Sequence, residues 1–350
     1  MMKRFLALTA AVLCAVLLLT SCQGNQPEPT SSTEPISSSE PEPVIPDEGN
    51  LNPLTGRHDL SGDAVGKRPV TVMVSNIKAA LPQYGIGQAD VVYETLVEGG
   101  ITRLMAVFAD PNHVPTVGPV RSVREYYPDI AAPLDPLFIH YGGSPTGYGH
   151  VKDNGLISID GITQPGSFYL DEQLRQAKGK EHSNFTSTDL FADGVNRLGY
   201  SMEGKELAPL FHFVEGTVPS EGAANSVQVS FSGYDTASFD YDAAAEKYLK
   251  GEFGQAQMDA GTGQQIAVDN VFVLYASIYP HPDGSERVAM NLTSGDGVYI
   301  CGGHYQTMSW SKGSVGEQFQ FTDASGNTLA VRPGSSWVCI VPIGRDAVIE

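Results

Sequence analysis

Arg121 and Arg124, in the stretch TVGPVRSVREYYPDI at 116–130, stand three residues apart where a helix is expected to begin. A helix N-terminus already carries partial positive charge, so two cations there call for a negative partner. That partner is either a bound anion or the chain's own carboxylates. Glu94 and Glu98 fit the second alternative, since both lie on one face of the strand-like run DVVYETLVE. Their Cα atoms would sit about 13 Å apart, whereas glycoside hydrolysis needs carboxyl groups about 5 to 9.5 Å apart. A two-residue turn at Gly99-Gly100 would set Arg103 opposite Leu96, on the face of both glutamates. A Glu-Arg-Glu charge cluster is then the simpler expectation.

A second group of chemically capable residues follows in HYGGSPTG at 140–147 and EHSNFTS at 181–187. Ser144 lies on a strand-to-helix turn, but Gly-x-Ser-x-Gly fails at Thr146, and Pro145 has no N–H for an oxyanion. Ser144 is better read as a helix N-cap with proline at the first helical position. His140 ends a strand, where a satisfied, partly buried histidine is the default. A helix start after a glycine turn, at the carboxyl end of a strand, commonly borders a ligand crevice in α/β folds. Arg121 and Arg124, with His140, Tyr141, His182 and Asn184 at the rim, would make an anion or polar-glycan site there. Internal pairing of Arg121 or Arg124 with Glu94, Glu98 or Asp160 is the competing reading. Of the two, Arg121 is expected to be the structural one and Arg124 to face the cleft. The eight histidines include no i, i+4 pair, and no calcium loop, P-loop or dinucleotide fingerprint occurs in the right context. No metal and no cofactor are expected.

The elements that must hold these residues alternate over 68–200. RPVTVMVSN is a buried strand, and DVVYETLVEGGITRLMAVFAD is a hairpin. SVREYYPDIAAPL is a helix capped by Ser122 and Glu125 and limited by Pro128, PLFIHYGG is a strand, and TSTDLFADGVNRLGY is an amphipathic helix. Beyond about residue 205 the stretches SVQVSFSG, NVFVLYASIY, RVAMNLTSGDGVYICGG, QTMSWSKG, EQFQFTDASGNTLAVRPG and SSWVCIVP are strands between Gly, Asp and Asn turns. The expected fold class is therefore α+β. A mixed α/β domain at 51–205 would precede an antiparallel β-rich domain at 206–350.

The chain begins with Lys3-Arg4, an apolar run from Phe5 to Leu19, and small residues before Cys22. This is the pattern of a lipoprotein signal peptide at 1–21, with Cys22 lipidated as the mature N-terminus. Residues 22–50 then form a Pro/Ser/Glu tether too polar to bury a core. The expected location is the extracytoplasmic face of the cell membrane. The formal net charge is −19, and no Lys/Arg run interrupts it, which argues against nucleic acid as a partner. Once Cys14 and Cys22 are set aside, Cys301 and Cys339 remain. In an oxidising exterior they either pair or stay as two buried thiols.

The motifs NPLTG, RPVTVMVSN, QADVVYETLVEGGITRLMAVF, VGPVRSVREYY, HYGGSP and EHSNFTS, followed by VDNVFVLYA, GDGVYICGG, MSWSKG and PGSSWVCIVP, resemble the YerB-type lipoproteins of Gram-positive bacteria. The resemblance spans nearly all of 51–342. It implies a mixed α/β layered sandwich and surface anchoring, and it implies no reaction. The reading is a membrane-anchored lipoprotein that binds a cell-envelope component, a wall glycan or peptide or a protein partner. The alternatives are an envelope hydrolase using Glu94 or Glu98 with His140 or His182, and a structural scaffold.

Overall fold

The architecture comes from a computed structural model that describes residues 49–350. The signal at 1–21, the lipidation at Cys22 and nearly all of the tether at 22–50 fall outside the described residues. The first three long strands are β1 (Val70–Ser75), β2 (Val91–Leu96) and β3 (Thr102–Phe108), and every residue of all three is buried. Strands that are apolar on both faces need cover on both sides. Short helices alternate with the next strands: α1 (Tyr126–Ala131), β4 (Leu137–His140), α2 (Pro145–Asp153), β5 (Ile157–Asp160), α3 (Glu172–Lys178) and α4 (Thr188–Leu198).

The second half is built of strands: β6 (Ser226–Ser230), β7 (Thr236–Asp242), β8 (Lys247–Glu252), β9 (Asn270–Pro280), β10 (Ser294–Cys301), β11 (His304–Ser311), β12 (Gln320–Asp323), β13 (Ser336–Pro342) and β14 (Val348–Ile349). The path of the central sheet is β12-β11-β10-β9-β13-β2-β3-β1-β4-β5. Its mixed character comes from parallel pairing at β9–β13, β13–β2, β1–β4 and β4–β5. β13 lies late in sequence but mid-sheet, hydrogen-bonded to β2 on one side and β9 on the other. Strands from both sides of residue 205 thus share one sheet, within a compact unit spanning Asp47–Glu350. The α+β layered sandwich expected from sequence is the fold observed.

One face of the central sheet carries Val72, Val92, Leu104, Trp337 and Cys339. It packs on a smaller sheet, ordered β8-β7-β6-β14, and on α4 through Phe191 and Val195. The other face carries Met73, Tyr93, Met105 and Val338 and packs on α1 and α2 through Tyr126, Tyr127, Ile130 and Val151.

Three local expectations are corrected, and the alternative left open for Cys301 and Cys339 is resolved. The β2–β3 turn is closed by Val97 N–H donating to the Ile101 carbonyl, so Arg103 faces Thr95 and not Leu96. A one-residue offset moves a side chain to the opposite face. Arg103 consequently points toward α1, while Glu94 points toward the smaller sheet, and the Glu-Arg-Glu cluster does not form. The helix expected from Ser122 starts only at Tyr126, with Glu125 at the cap position and no side-chain cap bond. The smaller sheet contains β7 and β8, a hairpin absent from the strands expected above. Finally, Cys301 and Cys339 are both free and buried. They stand on β10 and β13, with β9 between them, and on opposite faces of the sheet. Two strand spacings, about 9.5 Å, exceed the reach of a disulfide.

Candidate functional site

Residues 117–124 run extended, bridging Thr186, β1 and Gly143 in turn. In an extended chain, residues three apart point to opposite sides, so Arg121 and Arg124 part company. Arg124 turns to Glu98, its Nε donating to Oε2 at 2.9 Å and its Nη2 to Oε1 at 2.5 Å. The buried Arg103 stands 3.6 Å from the same carboxylate and donates to the Ser122 carbonyl at 2.7 Å. Burial alone would raise the Glu98 pKa, but the Arg124 hydrogen bonds and both guanidinium charges outweigh it and hold the group at about 2. Burial, with the charge of Arg124, lowers Arg103 to about 10.

Arg121 faces the other way, into an open groove of about 560 Å³. Ser122, Tyr141, Gly142, Gly143, Tyr148 and Asn184 line it with Arg121, and Lys180 and Glu181 stand at its edge. Arg121 Nη1 meets Glu181, a largely exposed residue, at 3.0 Å, while its buried Nε has no partner. The groove wall is organised from behind by Asp160. Its carboxylate accepts from the N–H groups of Gly142 (2.8 Å) and Ile162 (3.0 Å) and from the Tyr148 hydroxyl (2.9 Å). Gly142 has φ +76°, a conformation that suits glycine and lets the loop turn there. The buried His140 bonds the Gly142 carbonyl at 2.8 Å, and burial holds its pKa below the usual value. Ser144 accepts from Gly147 N–H at 2.9 Å as the N-cap of α2, with Pro145 following. Asn184 donates to the Lys180 carbonyl at 2.8 Å. His182 is buried beside it with Nδ1 unpartnered; burial and then the Arg121 charge lower its pKa.

The structure therefore gathers Arg121, Tyr141 and Asn184 at one groove, with His140, Ser144 and His182 buried around it. Arg124, Glu98 and Arg103 form a separate ion cluster, which reverses the roles expected for Arg121 and Arg124. No hydrogen bond joins Glu94 or Glu98 to His140 or His182 among the described residues.

Glu94 belongs to a buried polar layer between the two sheets. Its Oε1 accepts from Asn76 (2.8 Å) and Thr102 (2.9 Å), and its Oε2 from the Trp337 indole (2.9 Å). Asp235 accepts from the Thr102 backbone and hydroxyl at 3.1 and 3.0 Å. Lys250 donates to Glu252 at 2.5 Å, stands 3.9 Å from Glu94, and lies over the rings of Phe239 and Trp337. All four charged groups are almost fully buried. Desolvation raises Glu94 to about 7 and Glu252 to about 8, against the pull of Lys250. Sequence reasoning missed Asp235, Lys250 and Glu252. The alternating pattern KYLKGE was the one available signal.

Comparison with known proteins decides the lineage. Residues 54–201 match the family "Protein of unknown function (DUF3048) N-terminal domain", and residues 227–338 match its C-terminal domain. The chain belongs to the DUF3048 family. The Bacillus subtilis (strain 168) protein "Putative lipoprotein YerB" is 29% identical over 97% of this chain and 96% of its own length. The crystal structure of YerB from Bacillus subtilis superposes with a TM-score of 0.74 at 28% identity, covering 85% of this chain and 98% of that one. The YerB resemblance seen in the motifs thus extends to fold and full length. Among the described residues, no helix is long and apolar enough to cross a membrane.

Proposed function

We propose that this DUF3048 protein is anchored through lipid on Cys22 at the extracytoplasmic face of the membrane, and binds an anionic or polar wall glycan in the Arg121 groove without catalysing a reaction. The observation that carries the reading is Arg121 itself. It stands in an open groove with an unpartnered Nε and only an exposed glutamate as counter-charge, in a chain rich in carboxylates. Tyr141 and Tyr148 offer ring faces for sugar planes, Lys180 adds a second cation, and Ser122 and Asn184 supply polar edges. The signal-like N-terminus and the lipoprotein name of the Bacillus relative support the anchor.

The binding reading is tested by incubating the soluble mature form, without lipid, with purified wall and membrane fractions at increasing salt. Wild type should be retained on wall material at low salt and released as salt screens the contact. Arg121→Gln and Lys180→Gln should be retained several-fold less. Equal retention of wild type and both variants would remove the groove from the binding account.

A further inference from the structure

A second cleft, of about 520 Å³, opens beside α1 and shares no lining residue with the Arg121 groove. Asp129 on α1 and His150 on α2 contribute from the first half of the chain. The second half contributes Tyr279 near the end of β9, the strand Val288–Asn291 paired to it, and Lys312 just past β11.

Lys312 is placed there by strand alternation. Met308 and Trp310 are the buried residues at the end of β11, and two residues further the same face receives a lysine. Lys312 is only 5% exposed. Its Nζ donates to the carbonyls of Ser314 (3.1 Å) and Val315 (2.9 Å), and it enters no ion pair among the described residues. An ammonium carries three donors, so one N–H remains to be satisfied. A buried cation with no carboxylate on it is disfavoured. Burial accordingly lowers the Lys312 pKa, against the pull of Asp129 and, less strongly, Glu317.

Asp129 is the complementary case. Its carboxylate accepts from Asn154 at 2.8 Å and lies 2.9 Å from His150 Nδ1, and no lysine or arginine pairs with it among the described residues. Its side chain is 23% exposed. The other carboxylate of the cleft, Glu125, is already engaged: Thr146 donates to it at 2.8 Å, Arg287 at 3.3 Å, and His281 Nε2 stands 3.1 Å away. One buried cation and one accessible anion therefore line the same cleft without pairing to each other. Such a cleft matches a molecule that carries both charges.

We propose that this cleft binds a small aliphatic zwitterion, a free amino acid or a dipeptide, with its carboxylate at Lys312 and its ammonium at Asp129. Met290, Leu292 and Val315 supply apolar walls for an aliphatic side chain, and the half-exposed Tyr279 adds a ring face. A few polar groups converging in an otherwise apolar cleft are the common make-up of small-molecule sites. The site is independent of glycan binding at Arg121.

The test titrates the mature chain calorimetrically with the L and D forms of alanine, leucine and alanyl-alanine, and with N-acetylated and C-amidated versions of each. At least one free zwitterion should bind wild type, and capping either end should weaken it by about tenfold or more. The amino acids and the dipeptide distinguish the two sources of that chemistry. In Lys312→Met, free and amidated ligands should bind alike, because the partner of the carboxylate is gone. In Asp129→Asn, free and acetylated ligands should bind alike. Arg121→Gln should bind as wild type does. If Lys312→Met fails to fold, Asp129→Asn and the capped series on wild type carry the test. Absence of binding by every free zwitterion, or equal binding of free and capped ligands to wild type, would overturn the proposal. Variants at Lys312 and Asp129 that keep the wild-type preference for uncapped ends, or loss of binding in Arg121→Gln, would overturn it as well.

Discussion

Replacing Arg124 by glutamine separates a structural arginine from a binding one. In the folded chain Glu98 is held at about 2, against an ordinary value of 4.5. Taken at full strength that difference is about 3 kcal/mol. Glu98 is 29% exposed, and Arg103 stays beside it in the variant, so screening and the remaining cation reduce the loss to about 1 to 2 kcal/mol. For a folded part of this size, the corresponding fall in Tm is about 2 to 4 °C. Arg121 pairs with Glu181, which is 68% exposed, so Arg121→Gln should change stability by less than about 0.5 kcal/mol. The pH dependence supplies the sign. A carboxylate with a depressed folded pKa stabilises fully above its unfolded value and loses that contribution as pH falls through the folded one. The gap between wild type and Arg124→Gln should therefore be widest above about pH 4.5 and close toward pH 2. Urea melts of wild type and both variants at pH 7, 4 and 2.5 read it directly. A gap that stays constant with pH, or an Arg121→Gln variant as unstable as Arg124→Gln, would refute the assignment of the two roles.

Lys250→Met leaves Glu252 and Glu94 without their buried cation and should cost about 3 to 5 kcal/mol; a urea midpoint close to wild type would show that the carboxylates do not depend on it. Trp337→Phe removes the indole donor to Glu94 while keeping most of the ring, so a loss of about 1 to 3 kcal/mol is expected in the same assay. Thiol titration of the denatured, unreduced mature protein should find both Cys301 and Cys339 free, since β9 keeps them apart. Cys22→Ala should abolish lipid labelling, leaving the protein released or as an unprocessed precursor, and unchanged labelling would disprove the anchor.

The hairpin at 91–108 was legible because two apolar runs flank a Gly-Gly pair. Its register was not, because the number of residues in the turn depends on which carbonyl closes it. That single offset sent Glu94 and Arg103 to opposite faces. The arginines show a similar limit. Spacing of three reads as one side of a helix but as two sides of an extended chain, and Ser122 and Glu125 matched a capping box that the fold did not use. Arg121, Tyr141 and Asn184 nonetheless line one groove, since HYGGSP marks a strand end and a helix start whatever the register. Lys250 and Glu252 could not be placed from sequence. On an alternating strand, charged positions are assigned to solvent unless another layer is known to cover them.

Local physics was therefore enough for the strands of the first half and the Ser144-Pro145 helix start. Each of these depends on side chains within a few residues of one another. The seat of β13 beside β2 depends on pairing across more than two hundred residues, as does the Trp337 contact to Glu94. Such pairings are selected by the apolar surface the whole chain can bury and by the polar groups it must satisfy. No local window contains that information, so the buried charge layer and the division of labour between Arg121 and Arg124 emerge only once the sheets are packed.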